Sequence, residues 1–99
     1  MRLTNEQRKI IKQQAIECFG PQVEVRLFGS RLDDDTRGGD IDLYIETALP
    51  RREAVVRESR YYYMLQRLLG EQKMDIVLMT PDTDPQPIHS DAKTSGQAL

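Results

Sequence analysis

The stretch LFGSRLDDDTRGGDIDLYI, residues 27–45, decides the fold of this 99-residue chain. At both of its ends apolar residues alternate with polar ones, and this period-two pattern is typical of strands with one buried face. Residues 31–39, between them, contain three consecutive aspartates and a Gly-Gly pair, which predicts a polar surface loop. The alternating apolar positions are Val23, Val25, Leu27, Ile41, Leu43 and Ile45. We therefore expect a strand, a loop and a second strand.

A helix is predicted ahead of these strands. Thr4 and Gln7 have the spacing of a capping box, which marks a helix start. Apolar residues then recur on one helical face at Ile11, Ala15, Cys18 and Phe19. Because Gly20-Pro21 ends this pattern, the first helix is expected over residues 5–19.

A second helix and a third strand are predicted after the quoted stretch. Pro50 suits the first turn of a helix whose apolar stripe ends at Gly70, and Met74–Met79 has the composition of a buried strand. The order helix, strand, strand, helix, strand favours an α/β (α+β) domain, with a small mixed β-sheet and helices packed on one face. The other face of the sheet is then left for chemistry.

The C-terminal tail differs in composition from the rest of the chain. Residues 81–99 are rich in Pro, Asp, Ser and Thr, with Ile88, Ala92 and Leu99 as scattered apolar positions. We therefore expect one domain over residues 1–80, followed by a tail over residues 81–99 that is poorly ordered or binds a partner.

Composition and charge argue against several classes of protein. The chain has 14 Lys and Arg against 16 Asp and Glu, a formal net charge of −2, which does not suit a broad nucleic-acid-binding surface. It has no apolar stretch of transmembrane length, and its polar N-terminus lacks the apolar core of a signal peptide. The single cysteine, Cys18, suits a reducing compartment and is expected to pack within a helix. We predict a cytoplasmic protein without a membrane partner.

Three aspartates form the candidate catalytic and metal site. Asp40 and Asp42 lie two residues apart in a strand, so their side chains leave the same face with Cα atoms roughly 6.5 to 7 Å apart. Such carboxylates repel one another unless a cation lies between them, and Mg²⁺ prefers oxygen ligands together with substrate phosphates. Asp75, the lone charge in Met74–Met79, is the candidate for a third carboxylate. The alternative for each aspartate is a solvated strand position.

Gly29 and Ser30 stand at the end of the first strand, with nine residues between Ser30 and Asp40. Glycine permits close approach of the backbone to a phosphate, and a Ser hydroxyl with nearby backbone N–H groups can hold an anion. With this Gly-Ser pair and its Asp-x-Asp strand, the segment at residues 27–45 resembles the signature of the DNA polymerase β-like nucleotidyltransferase superfamily. It is most similar to the minimal nucleotidyltransferases (MNT), small cytoplasmic antitoxins often encoded beside a HEPN-domain ribonuclease toxin.

The resemblance implies a nucleotidyltransferase fold and a role for each matched position. Metal binding and catalysis fall to Asp40, Asp42 and Asp75, with Asp75 as a ligand or general base, and nucleotide binding falls to Gly29, Ser30 and Arg31. The cofactor implied is Mg²⁺ in a two-ion site, and the substrate is ATP. Arg31 and Arg37 would contact phosphate oxygens, to which guanidinium groups are suited; solvated loop charges are the alternative for both.

The resemblance also implies a biological role. The chain would transfer AMP from ATP to a protein hydroxyl, a tyrosine of a cognate HEPN toxin, and would act as the antitoxin, with any oligomer formed through the toxin. The alternative is a catalytically silent antitoxin that neutralises its toxin by steric binding. An antibiotic nucleotidyltransferase and a template-dependent polymerase are disfavoured, because the chain lacks a further domain and a basic channel.

Other chemically notable residues are assigned structural roles. Tyr61, Tyr62 and Tyr63 cannot share one helical face, so we expect one or two of them in the core and the rest at the helix edge, with a partner-binding aromatic patch as the alternative. His89 is assigned no catalytic or metal role. Asp33–Asp35 are expected to be solvated or to cap a turn.

Overall fold

A computed structural model describes residues 3–28 and 41–99, and within these ranges it shows a four-stranded mixed sheet and three helices. The elements are α1 (Asn5–Phe19), β1 (Glu24–Phe28), β2 (Ile41–Glu46), α2 (Arg51–Leu69), β3 (Met74–Met79), α3 (Pro87–Ser95) and β4 (Gln97–Ala98). The predicted α/β class is thereby confirmed. Gly29, Ser30, Arg31, Arg37, Asp40 and the aspartates at 33–35 lie outside the described residues, so their predicted roles stay predictions.

The capping signals at both ends of α1 form as predicted. The Thr4 hydroxyl accepts a hydrogen bond from the Gln7 N–H at 3.1 Å, and the Gln7 side chain accepts one from the Thr4 N–H at 2.8 Å. At the other end, Gly20 adopts a positive φ of 106° and its N–H donates to the Ile16 carbonyl at 2.8 Å. These contacts satisfy backbone groups that the helix leaves unpaired, so α1 begins and ends where the sequence predicts.

The sheet has the strand order β3-β2-β1-β4. β1 runs antiparallel to both β2 and β4, whereas β2 and β3 are parallel and are joined through α2. A parallel pair needs a crossover connection, and α2 provides it. The two strands that carry Asp42 and Asp75 are therefore direct neighbours.

One face of the sheet packs against α1 and α2. The core there includes completely buried side chains from all these elements: Ile11, Ala15, Ile41, Leu43, Ile45, Ala54, Tyr61 and Leu65. The Tyr61 hydroxyl donates to the Ile11 carbonyl at 3.0 Å, and its ring meets Phe19 edge-on with the ring centres 5.5 Å apart. Tyr61 thus joins α2 to α1 without leaving a buried polar group unpaired.

The tail forms regular structure in addition to the predicted elements. Residues 87–95 form α3, and β4 pairs with β1 through Arg26 and Ala98, while the Leu99 N–H donates to the Val25 carbonyl at 3.0 Å. The tail therefore contains regular secondary structure, whereas partner binding by it stays a prediction. The sequence pattern does not indicate these elements, because they are held mainly by backbone hydrogen bonds and by single buried side chains. Ala92, which is completely buried, is one of these.

α3 lies on the face opposite α1 and α2. Lys93 forms an ion pair of 3.1 Å with Glu46, and the Gly96 carbonyl accepts from the Arg26 guanidinium at 3.3 Å. Glu46 and Arg26 alternate with the core residues of their strands, so their side chains are on the other side of the sheet. α1 and α2 thus lie on one face, as the sequence predicts, and α3 partly covers the second face.

Within residues 3–28 and 41–99, no helix is long and apolar enough to cross a bilayer.

Candidate active site at the carboxylate end of the sheet

The parallel register of β2 and β3 places Asp42 directly beside Asp75. Residues paired in register point to the same face of a sheet, and neighbouring strands lie about 4.8 Å apart. The two carboxylates therefore leave adjacent positions on the face opposite the core that α1 and α2 cover. The structure brings together two aspartates that are far apart in the sequence and that the sequence assigns to one site.

The environment of this pair suits a hard divalent cation. Asp42 is half-buried and Asp75 is exposed. Two carboxylates this close favour a cation between them, and Mg²⁺ takes one or two carboxylates together with water and phosphate oxygens. In the part of the chain that the structure describes, no three His, Cys, Asp or Glu side chains cluster around one point. Asp40, the remaining aspartate that the sequence assigns to this site, lies outside that part.

The segment with the Gly-Ser motif joins the sheet next to the carboxylate pair. β1 ends at Phe28, which pairs with Asp42, and β2 begins at Ile41, which pairs with Met74. Phe28 and Ile41, the residues that flank 29–40, therefore lie within one or two positions of Asp42 and Asp75 in the sheet. This placement suits a phosphate-binding segment beside the carboxylates, although the structure does not describe that segment.

The opposite end of the same face carries a hydrogen-bonded network that sequence reasoning missed. The Tyr44 hydroxyl donates to Glu46 Oε1 at 2.6 Å, and Lys93 Nζ contacts the same oxygen at 3.1 Å. Burial, and then the bond to Glu46, raise the pKa of Tyr44, whereas the Tyr44 hydroxyl and Lys93 lower the pKa of Glu46. The period-two pattern of Asp42, Tyr44 and Glu46 was the signal that one face would hold all three.

A cavity of about 810 Å³ adjoins this network. Glu24, Tyr44, Glu46 and Lys93 are among the residues that line it, whereas Asp42 and Asp75 are not. This cavity is therefore at the far end of the face from the carboxylate pair. We base the candidate active site on the paired carboxylates rather than on this cavity, because the two glutamates that line the cavity are bonded to neighbouring side chains: Glu46 to Tyr44 and Lys93, and Glu24 to Arg26.

A smaller groove of about 440 Å³ lies beside Asp75, between β3 and α2. Glu58, Ser59 and Tyr62 line it from α2, and Asp75 lines it from β3. Burial raises the pKa of Glu58, and Arg51 opposes this effect. Sequence reasoning does not place Glu58 near Asp75, because only the packing of α2 against β3 brings them together.

The three consecutive tyrosines separate as predicted. Tyr61 is completely buried, whereas Tyr62 is 42% and Tyr63 56% exposed. Arg67 lies over the Tyr63 ring at 5.8 Å from its centre. One tyrosine in the core and two at the helix surface agree with the expectation of one or two in the core and the rest at the helix edge. Cys18 is likewise buried, as expected for helix packing, and burial raises the pKa of its thiol.

The chain was compared with known families and proteins. No protein-family model matches it, and no curated protein matches it. The similarity to minimal nucleotidyltransferases therefore depends on the motif in residues 27–45 and on the pattern around Asp75.

Proposed function

We propose that this protein is a Mg²⁺-dependent nucleotidyltransferase that transfers AMP from ATP to a hydroxyl of a partner protein. The partner would be a cognate HEPN toxin, the acceptor a tyrosine, and the role that of a cytoplasmic antitoxin. The observation that carries the proposal is the register of Asp42 with Asp75 on one sheet face. The Gly-Ser and Asp-x-Asp motif, which joins the sheet at this point, supports it.

The proposed reaction is an in-line displacement at the α-phosphorus of ATP. The acceptor oxygen forms a bond to the α-phosphorus, the bond between the α-phosphorus and the bridging oxygen to the β-phosphate breaks, and pyrophosphate leaves. Asp75 accepts the proton of the hydroxyl, because it is the exposed member of the pair. Asp42, with Asp40, would bind Mg²⁺, which supplies stabilisation of the charge that develops on the phosphate oxygens. Positioning of ATP and the acceptor hydroxyl relative to one another provides most of the remaining rate enhancement.

The test is transfer of label from α-³²P ATP to a HEPN-domain protein in the presence of Mg²⁺. We expect transfer by the wild-type chain and a loss of roughly 10³-fold in Asp42→Asn, since a metal ion at this position supplies several kcal/mol. Glu17→Gln, an exposed carboxylate on α1 behind the other face of the sheet, is the matched control and should retain transfer. Equal transfer by wild type and Asp42→Asn would contradict the proposal.

A catalytically silent antitoxin is the second candidate function. It is favoured by exposed apolar side chains on α2, where Val55 and Tyr62 are about two-fifths exposed and Val56 and Tyr63 more than half. Such a patch is typical of a protein-binding surface. Tight association with the toxin, without label transfer under any metal or nucleotide condition, would support this alternative over the enzyme.

A further inference from the structure

The outer edge of β3 offers unpaired backbone groups. β3 is the last strand in the order β3-β2-β1-β4. The Ile41 N–H donates to the Lys73 carbonyl, so the odd-numbered residues of β3 direct their N–H and C=O groups toward β2. The even-numbered residues direct theirs away from the sheet; these are Met74, Ile76 and Leu78. Among the strands in the described ranges, none pairs with this edge.

One end of this edge is already closed by the tail. His89 Nδ1 accepts from the Gln86 N–H at 2.9 Å, so the ring proton is on Nε2, which is 3.2 Å from the Leu78 carbonyl and donates to it. This contact covers the last outward carbonyl. The outward groups of Met74 and Ile76 and the N–H of Leu78 form the part of the edge that an extended chain can pair with.

A continuous groove follows the edge between β3 and α2. Its two parts, of about 440 and 580 Å³, share Val55, Glu58 and Ile76 as lining residues. Val55 and Tyr62 provide exposed apolar surface on the helix side. An extended peptide that pairs with β3 would direct alternate side chains toward this apolar surface, as in other complexes formed by strand addition.

The groove is strongly acidic. Among the described residues that line it are four carboxylates, from Glu58, Asp75, Asp82 and Asp84, and one guanidinium, that of Arg51. Asp82 already accepts hydrogen bonds from the Arg51 N–H and the Thr80 hydroxyl, and so acts as the N-terminal cap that Pro50 does not provide for α2. Glu58 is half-buried near Arg51. This surplus of negative charge is complementary to lysine or arginine side chains.

We infer that the outer edge of β3 binds an extended, basic segment of a partner protein as an added strand. The backbone of the segment pairs with Met74, Ile76 and Leu78, its apolar side chains contact Val55 and Tyr62, and its basic side chains meet the carboxylates of the groove. The partner class is thus a protein with an exposed lysine- or arginine-rich segment that can become extended, rather than one that presents a helix.

The register of such a strand has a consequence at the candidate active site. A residue of the segment opposite Asp75 directs its side chain to the same face as Asp75 and Asp42, because paired residues share a face. A hydroxyl side chain at that position would stand next to Asp75. This last step rests on the proposed function, whereas strand binding at the edge does not.

Amide hydrogen exchange measured by NMR tests the inference with a defined probe, the peptide acetyl-TKTVYVTKT-amide, in which the lysines and valines share one strand face and the tyrosine lies on the other. We expect saturating peptide to slow exchange at Ile76 and Leu78 by at least about tenfold while exchange at the inward-facing Val77 is unchanged. The matched peptides TETVYVTET, which reverses the charge, and TKTPYPTKT, which cannot complete the ladder, should have no such effect. Unchanged exchange with the basic peptide, or equal slowing with the acidic one, would overturn the inference.

Charge variants provide an independent measurement through the Kd of the basic peptide. Glu58→Gln combined with Asp84→Asn should weaken binding by roughly tenfold. Each substitution removes an attraction of about 0.7 kcal/mol, and the two together correspond to this factor. Glu6→Gln combined with Glu17→Gln removes the same charge from α1 and should leave the Kd unchanged. Equal weakening by both double variants would show a general charge effect and contradict a specific groove.

Label transfer to the peptide tyrosine from ATP and Mg²⁺ separates this inference from the proposed function. Slowed exchange without label transfer would support the strand-binding edge and count against the acceptor step. Label transfer without slowed exchange would support the enzyme and overturn strand addition.

Discussion

The two faces of β2 come from one alternating run of six residues, but they differ in what they pack against. The face toward α1 and α2 carries Ile41, Leu43 and Ile45, each completely buried. The other face carries Asp42, Tyr44 and Glu46, and its two ends differ from one another. α3 covers the end with Glu46, whose carboxylate binds Tyr44 and Lys93, whereas the end with Asp42 adjoins the exposed Asp75.

This difference separates the residues that stabilise the domain from those of the proposed site. The apolar face supplies burial, which is the main favourable term in folding. On the polar face, Glu46 forms an ion pair with Lys93 of α3, whereas Asp42 lies beside Asp75. The following substitutions test that division, beginning with the largest expected effect.

Leu43→Ala should destabilise the fold by about 3 kcal/mol, because it leaves a cavity in the core between the sheet and the helices. Urea denaturation followed by circular dichroism measures the change. Leu68→Ala removes the same atoms from a side chain that is 47% exposed on α2 and should cost less than about 1 kcal/mol. Similar losses from both variants would mean that the covered face is not the source of stability.

Tyr44→Phe should cost about 1.5 kcal/mol, because it removes a buried hydroxyl that donates to the charged Glu46. Tyr63→Phe makes the same chemical change at an exposed hydroxyl and should be within about 0.5 kcal/mol of wild type. Label transfer should persist in both variants, since neither residue belongs to the carboxylate pair. Loss of transfer in Tyr44→Phe alone would show that the two ends of the polar face are not separate.

Lys93→Met should cost about 0.5 kcal/mol, the value typical of an exposed ion pair. The loss should disappear at high salt, because screening weakens the pair in the wild type as well. Lys9→Met, at an exposed position on α1, is the control for removing one positive charge. A larger loss than that of Tyr44→Phe would mean that Lys93, rather than Tyr44, is the main partner of Glu46.

The smallest effect expected is on the pH dependence of stability. The Tyr44 hydroxyl and Lys93 lower the pKa of Glu46 in the folded state, so its contribution is present above the ordinary carboxylate pKa and is lost as the pH falls through the lowered value. Because the Glu46 side chain is 38% exposed, the change should stay below about 1 kcal/mol. Thermal melts of wild type and Glu46→Gln across acidic pH should converge at the lowest values. A constant difference between the two curves would exclude Glu46 as the titrating group.

The elements with strong local signals were predictable from the sequence. α1 extends from Asn5 to Phe19, and β3 from Met74 to Met79, as the capping box and the apolar run predict. These signals are local because helix caps and strand periodicity depend on residues within a few positions of each other. The common face of the polar residues in β2 follows from the same periodicity.

The candidate site could be predicted only in part. Periodicity assigns Asp42 to a polar face. Which residue lies beside Asp42 on that face depends on which strands pair and in what register. Asp75 lies beside Asp42 because α2 returns the chain parallel to β2. Glu58 lies near Asp75 because α2 packs beside β3, and no sequence spacing indicates either contact.

The sequence alone thus determined the α/β class, the bounds of the strongest elements and the composition of each face of β2. Only the tertiary structure decided that Asp42 and Asp75 are in register, that α3 covers the Glu46 end, and that the outer edge of β3 borders an acidic groove. The physical reason is that period and capping act along the chain, whereas strand register and helix docking depend on contacts between residues far apart in it.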